Sequence, residues 1–320
     1  MKTINFYTLL YIDLEEGRKM SLGNYTGVDR IIVFLKNACA LDASFHKLNP
    51  TCQHITILTN NKTLIEDLLS NEILYKGILV KEIPFKLNVP KGIPFYSAHF
   101  KIDAFGYLAS QDENKYSVLL DSDIVALKPL PHSFFRIAEE GTPILYQMPY
   151  YTADALLECC DKIVPEPGVI QWVGGEFMGG EKEFFRQLYE CCLDIFPSYV
   201  ENINNGLLHI GDEMISTVAI RRLKNRGWQF YDAGILGYIK RYWGMHEATP
   251  LKSMELIFGH LLIDKVWISK NLDVFSPYDK EKFLKRYIRH YRLYRILNKI
   301  RNCLSNMCKK LVPRNILGSK

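Results

Sequence analysis

At 320 residues the chain is long enough for one large domain or two small ones, and its 48% hydrophobic and 23% charged content is ordinary for a soluble globular protein. The eight cysteines, at 39, 52, 159, 160, 191, 192, 303 and 308, lack zinc-site spacing and are too sparse for a secreted disulfide scaffold. The net charge of +5 hides an asymmetry: residues 282–320 carry twelve Lys or Arg and no acid, which leaves 28 basic against 35 acidic residues in 1–281, a net of −7.

The opening Met1-Lys2-Thr3-Ile4 leads straight into a strand-like segment over 3–12, so no signal peptide is expected, and no apolar run reaches transmembrane length. A polar stretch at 13–26 reads as a loop with the composition of a mobile one. The spacing of Val28, Ile31, Ile32, Leu35 and Ala38 predicts a helix over 27–42. His54 to Thr59 reads as a strand, 62–70 as a short helix, 78–85 as a third strand, and Tyr96 to Leu108 as a helix feeding the next strand. Strand and helix thus alternate over the first 130 residues, the pattern of a doubly wound parallel sheet. Pro129 and Pro131 close that unit. In the second half, Val169 to Val173 precedes a glycine-rich run, 181–196 is helical, and a helix from Gly211-Asp212-Glu213 runs to about Arg226, where Gly227 stops it. Residues 229–272 are mixed and aromatic, and there is no internal repeat.

The chemistry-bearing segment is Tyr116-Ser117-Val118-Leu119-Leu120-Asp121-Ser122-Asp123-Ile124-Val125-Ala126-Leu127. Its apolar run suits a buried parallel strand. In open α/β sheets ligands bind beyond the carboxyl ends of the strands, and period-2 geometry puts Asp121 and Asp123 on one side of the chain. Two such carboxylates make a hard-oxygen site for Mg²⁺ or Mn²⁺, which in turn clamps a diphosphate. The bland alternative is a solvated Asp-X-Asp turn.

This segment resembles the metal-binding strand of GT-A-fold glycosyltransferases. Three other segments fall in the order of that family: Phe95 to Asp103, Gly174-Gly175-Glu176-Phe177-Met178-Gly179-Gly180, and His209-Ile210-Gly211-Asp212-Glu213-Met214. The second is similar to the sugar-pocket strand of the blood-group-transferase type, and the third to the acidic segment of the blood-group and glycogenin types. Gly259-His260-Leu261-Leu262-Ile263-Asp264-Lys265-Val266-Trp267 is similar to the late His…Lys-X-Trp segment of the glycogenin type, one residue shorter between His and Lys and without its Gly and Pro.

The resemblance implies a GT-A-like, Rossmann-type, mostly parallel sheet flanked by helices. The catalytic domain would span 1–278, with a nucleotide-sugar half at 1–130 and an acceptor and sugar-pocket half at 131–278. It implies Asp121, Asp123 and His260 as ligands of Mn²⁺ or Mg²⁺. It implies Asp121, Ser122, Asp123, Lys101, Gly175, Asp212 and Lys265 on the nucleotide-sugar, with Lys101 and Lys265 meeting the diphosphate; Tyr11, at the end of the first strand, is placed on the base by sheet topology alone. Glu213 is the first candidate for the catalytic carboxylate and Glu176 the second. The plain reading of Asp212 and Glu213 is a pair of acids favoured at a helix start. For the glycine pairs it is a turn beside a strand. Lys101 as a solvated lysine and His260 as a core histidine are the corresponding plain readings.

From residue 279 the chain reads as a basic amphipathic tail. Phe283, Tyr287, Tyr291, Tyr294, Leu297, Ile300, Leu304 and Leu311 recur at helical steps among Lys and Arg. Over 283–311 that pattern suits an anionic membrane surface, with packing on the catalytic domain or a twin subunit as the alternative and nucleic acid the least favoured. The expected whole is a cytoplasmic hexosyltransferase-type enzyme, peripheral on the inner face of the membrane. It moves a sugar from a UDP-linked donor to a glycan or lipid-linked acceptor in surface polysaccharide or lipopolysaccharide biosynthesis, with retention. Homo-oligomer formation stays open. The rival is a haloacid-dehalogenase-like phosphatase with Asp121 as nucleophile, which expects its motif near the domain start and an acid where Ser216 stands.

Overall fold

A computed structural model describes residues 2–14, 22, 25–148, 151–244 and 251–293. Most of the expected loop at 13–26 and the tail beyond 293, including Tyr294, Leu297, Ile300, Leu304 and Leu311, lie outside the described residues.

The first half alternates as its pattern predicts: β1 (Thr3–Leu10), α1 (Gly27–Leu48), β2 (Thr56–Thr59), α2 (Lys62–Leu68), β3 (Leu79–Glu82), α3 (Lys101–Leu108) and β4 (Lys115–Leu120). The helix α1 runs six residues past the predicted end, because Ala40, Leu41, Ser44 and Phe45 continue its buried face. Asn61 starts α2 by accepting a hydrogen bond from the Leu64 amide, and a π-turn at Leu69–Ile73 prolongs it. A 3₁₀ turn, Tyr96–Phe100, precedes α3.

After β4 come β5 (Ile124–Ala126), α4 (His132–Glu140), β6 (Ile144–Met148), α5 (Ala153–Ile163), β7 (Trp172–Glu181), α6 (Lys182–Asn202), α7 (Asp212–Asn225), β8 (Tyr231–Asp232), β9 (Ile239–Arg241), β10 (Phe258–His260) and α8 (Lys265–Lys270). Residues 280–293 are also helical. Of these, α4, β6, α5, β8, β9, β10 and α8 have no counterpart among the elements read from the sequence.

Seven strands form one mixed, mostly parallel sheet in the order β3-β2-β1-β4-β7-β6-β8, flanked by helices. The strands β1, β2, β3 and β4 are mutually parallel neighbours, whereas β7 runs antiparallel between β4 and β6. A smaller sheet has the order β5-β10-β9. The apolar run ends at Leu120, as expected of a strand broken by two carboxylates; Asp121-Ser122-Asp123 is the crossing to β5, which belongs to the other sheet. The glycine-rich run, weighed as a ligand approach or a turn, is itself the buried strand β7. Packing explains most of its glycines. A methyl group at Gly180 would lie 2.2 Å from the Phe184 ring, and one at Gly179 would lie 3.2 Å from Tyr116.

The main core fills the space between the large sheet and its helices. A second core, built from Val125, Leu127, Leu261, Ile268, Phe275 and Tyr278, lies under the small sheet. Phe283, Leu284 and Tyr287 are buried in it, and Tyr287 packs edge-on against Trp267 with ring centroids 5.1 Å apart. The first aromatic residues of the predicted membrane stripe thus belong to the body of the protein, because Trp267, Phe275 and Tyr278 offer them an apolar partner surface. Among the described residues no helix is long and apolar enough to cross a membrane. Truncating Phe283, which is fully buried, removes a large core side chain. Phe283→Ala is expected to cost about 3–5 kcal/mol of unfolding free energy, read by urea denaturation.

Candidate active site

The site forms where β4 ends. The β4–β7 ladder pairs Leu120 with Phe177 and continues one step further, where the Asp121 amide donates to the Glu176 carbonyl at 3.1 Å. This sets Glu176 beside Asp121. The chain then turns into β5, whose antiparallel pairing with β10 places His260 opposite Ile124, and the Leu261 amide donates to the Asp123 carbonyl at 2.9 Å. Parallel pairing of β10 with β9 sets Arg241 opposite His260. Backbone register alone therefore gathers Asp121, Asp123, Glu176, His260 and Arg241.

Ligand atoms of Asp121, Asp123 and His260 lie within 4.8 Å of one another. His260 Nε2 is 3.1 Å from Asp123 Oδ2 and 3.8 Å from Asp121 Oδ2. Its other ring nitrogen, Nδ1, is 3.2 Å from Glu176 Oε1. A carboxylate on the far nitrogen fixes the tautomer and ring orientation of a metal-binding imidazole. Two carboxylates and one imidazole so oriented fit a divalent cation. Lys265 donates to Asp123 and, at 3.2 Å, to the Leu262 carbonyl.

A second group of charges flanks the first. Lys101, from the start of α3, is almost wholly buried, with Nζ 2.7 Å from Asp121 Oδ1, 3.0 Å from Asp212 Oδ2 and 2.9 Å from the Gly175 carbonyl. Burial opposes its charge, yet the two aspartates hold its pKa above the ordinary lysine value. It is no solvated lysine. The close approach explains Gly175, where a methyl group would lie 2.6 Å from both Lys101 Nζ and Asp212 Oδ2.

Arg241 forks onto Glu176, with Nε to Oε1 at 2.8 Å and Nη2 to Oε2 at 2.9 Å, and also donates to Glu213. Glu213, in the first turn of α7, further accepts from Trp172 Nε1 at 2.9 Å and from the Gly175 amide at 3.2 Å. The two glutamates titrate apart. Burial pushes Glu176 up, but His260 and Arg241 overcome it and hold Glu176 at about 2. Burial dominates at Glu213 and, with Glu176 and Asp212 nearby, raises it to about 7 against the pull of Arg241.

Of the residues singled out from sequence, Asp121, Asp123, His260, Lys101, Gly175, Glu176, Asp212, Glu213 and Lys265 come together through these contacts, and Ser122 sits between the first two. Tyr11 stands just past β1 with its ring stacked on Phe100 at 3.7 Å and edge-on to Phe85 at 5.1 Å, so aromatic neighbours already cover part of it. Sequence reasoning missed Arg241 and Trp172. Neither stands in a recognisable motif; their roles follow from the β9–β10 register and from the position of α7 against β7.

The fold is thus a mixed α/β one with an acid-rich, metal-compatible centre at the end of a parallel strand. No protein-family model matches the chain, and a search of curated proteins found no match. Among solved structures the chain is similar to the galactosyltransferase LgtC in complex with donor and acceptor sugar analogues, with a TM-score of 0.49 and 11% identity over 83% of this chain and 95% of that one. It is similar also to an active-site mutant of LgtC, with a TM-score of 0.49 and 12% identity over 85% of this chain and 95% of that one.

Because Glu213 keeps its proton to about pH 7 when folded and only to about 4.5 when unfolded, the folded state binds the extra proton between those values. Its contribution to stability is full below pH 4.5 and is lost as pH rises to 7. Denaturation at pH 4.5 and pH 7.5 is expected to show a larger fall for the wild type than for Glu213→Gln, which has no proton to lose.

Proposed function

We propose that the protein is a metal-dependent GT-A-fold glycosyltransferase that moves a hexose from a UDP-linked donor to a glycan or lipid-linked acceptor, with retention, in the synthesis of a surface polysaccharide or lipopolysaccharide. The observation that carries this reading is the convergence of Asp121, Asp123 and His260 from three segments at the carboxyl end of β4. In this reading the three side chains hold Mn²⁺ or Mg²⁺. An ion bound there supplies Lewis-acid neutralisation of the departing diphosphate, an effect of several kcal/mol.

The chain's own residues supply the remainder. Glu176 is a positioning residue: it orients His260 through Nδ1 and anchors Arg241. Lys101 ties Asp121 to Asp212 and so fixes the depth of the acidic pair. Lys265, at the start of α8, is assigned to the diphosphate oxygens and Tyr11 to the base side of the donor. Glu213 is assigned to the anomeric carbon. As the donor's C1–O bond breaks, UDP departs and positive character grows on the sugar; the Glu213 carboxylate stabilises or traps that centre on one face, while the acceptor oxygen forms the new C1–O bond and passes its hydroxyl proton to a phosphate oxygen of the departing UDP. A value near neutrality keeps Glu213 partly ionised in the working range.

The exposed side of 280–293 carries Lys282, Lys285, Arg289 and Arg292, while its aromatic side faces the body. An electrostatic attachment to an anionic leaflet by these cations fits an enzyme on the inner membrane face working on lipid-linked acceptors.

Screening UDP-sugars for UDP release is expected to find one donor whose turnover disappears on chelation and returns with Mn²⁺ or Mg²⁺. Asp123→Ala is expected to lose at least a hundredfold in rate with a folded circular dichroism spectrum. Metal-independent release, or hydrolysis of aryl phosphates in its place, overturns the reading. Reversing Lys282, Lys285, Arg289 and Arg292 to Glu is expected to abolish sedimentation with phosphatidylglycerol vesicles and to leave turnover on a soluble acceptor within about twofold. Unchanged sedimentation removes this face as the attachment.

A further inference from the structure

Phe95 is exposed over 54% of its surface and holds a left-handed backbone, φ 54 and ψ 31. A bulky residue there is a conformational outlier, and such strain persists only where surrounding contacts enforce it. Those contacts are present. The Phe95 carbonyl accepts from the Ala98 amide at 2.8 Å and lies 3.0 Å from Nδ1 of His99, whose fully buried ring is fixed at Nε2 by the Tyr199 hydroxyl, 2.9 Å away. The result is a benzyl ring held out of the core.

That ring leads to the carboxylates through aromatic contacts. It lies 4.9 Å from the His209 ring at an interplanar angle of 34°. His209 meets Trp172 edge-on at 5.5 Å, and Trp172 donates to Glu213. Burial lowers the His209 pKa, which favours a neutral ring. The packing is close: a methyl group at Gly211 would lie 2.6 Å from His209 Nε2 and 3.6 Å from Phe95 Cβ. On the next residue, buried Asp212 Oδ2 is ion-paired with Lys101 but accepts no directed hydrogen bond. An aromatic ring held out of the core and linked by ring contacts to the polar site suits a pyranose, which has an apolar C–H face and a rim of hydroxyls.

We propose that Phe95 and His209 form a stacking platform for a hexopyranose ring of the substrate. The proposal rests on the glycosyltransferase reading for its catalytic meaning, and binding alone tests it. The donor sugar and the acceptor sugar share this chemistry and are separated by the choice of probe. Saturation-transfer NMR would use methyl glucoside, methyl galactoside and methyl N-acetylglucosaminide as acceptor probes, with UDP-glucose and UDP-galactose as donor probes. Phe95→Gly and Phe95→Asn both tolerate the left-handed backbone and remove the ring. Both are expected to keep or raise Tm while losing at least fivefold of the transfer to the axial C–H protons of one probe class; Phe95→Tyr is expected to restore it. Once a donor is known, the same two variants are expected to raise KM for that sugar about tenfold with kcat within twofold. Equal transfer in wild type and both ring-less variants, or no transfer to any probe from the wild type, overturns the platform. Binding that depends on Phe95 without any turnover overturns the enzymatic reading alone.

Discussion

Five carboxylates, those of Asp121, Asp123, Glu176, Asp212 and Glu213, meet in a largely buried space, and the rest of the structure depends on how their charge is matched. Taking such groups out of water costs several kcal/mol each unless a cation and good hydrogen bonds compensate. The fold brings each compensating group from a different segment: Lys101 from α3, Arg241 from β9, His260 from β10 and Lys265 from α8. None is a neighbour in sequence of the acid it serves. Assembling the site is therefore inseparable from closing the small sheet against the large one, and an error in strand register strands a buried charge.

The match is deliberately incomplete around Glu213. Glu176 receives a guanidinium fork and an imidazole and stays ionised, whereas Glu213 shares the guanidinium and sits among other acids. Two glutamates of the same chemical type, held by the same arginine, are thereby separated into a structural anion and a titratable one.

The strand-helix alternation over the first 130 residues was legible because each element there has one dominant period and clear breakers. The α7 start at Asp212 and its stop before Gly227, which adopts φ +91, were legible for the same reason. The glycine-rich run was legible as a strand only through its resemblance, because four glycines carry no strand period; bulky partners such as Phe184 and Tyr116 on neighbouring elements let it pair as a central strand. Asp121 and Asp123 could be named from an acid pair closing an apolar run, and His260 from the late His…Lys-X-Trp resemblance. Arg241 could not, since its position opposite His260 comes from a pairing across a segment with no periodic signal. The aromatic residues of 283–291 were ambiguous in principle: an amphipathic helix looks the same whether its apolar side meets lipid or protein, and only the presence of Trp267, Phe275 and Tyr278 decides it.

Tyr287 donates to the buried Asp264 carboxylate at 2.6 Å, and Tyr291 donates to the same oxygen. Asp264 immediately precedes Lys265, whose ammonium sits on Asp123. The last described helix is consequently a buttress of the charged site rather than an appendage. Trimming the cationic end back to residue 279, an obvious manoeuvre for improving the handling of a sticky protein, would take out the brace behind Lys265 along with the positive charge. An inert product of such trimming would report a collapsed wall and say nothing about lipids.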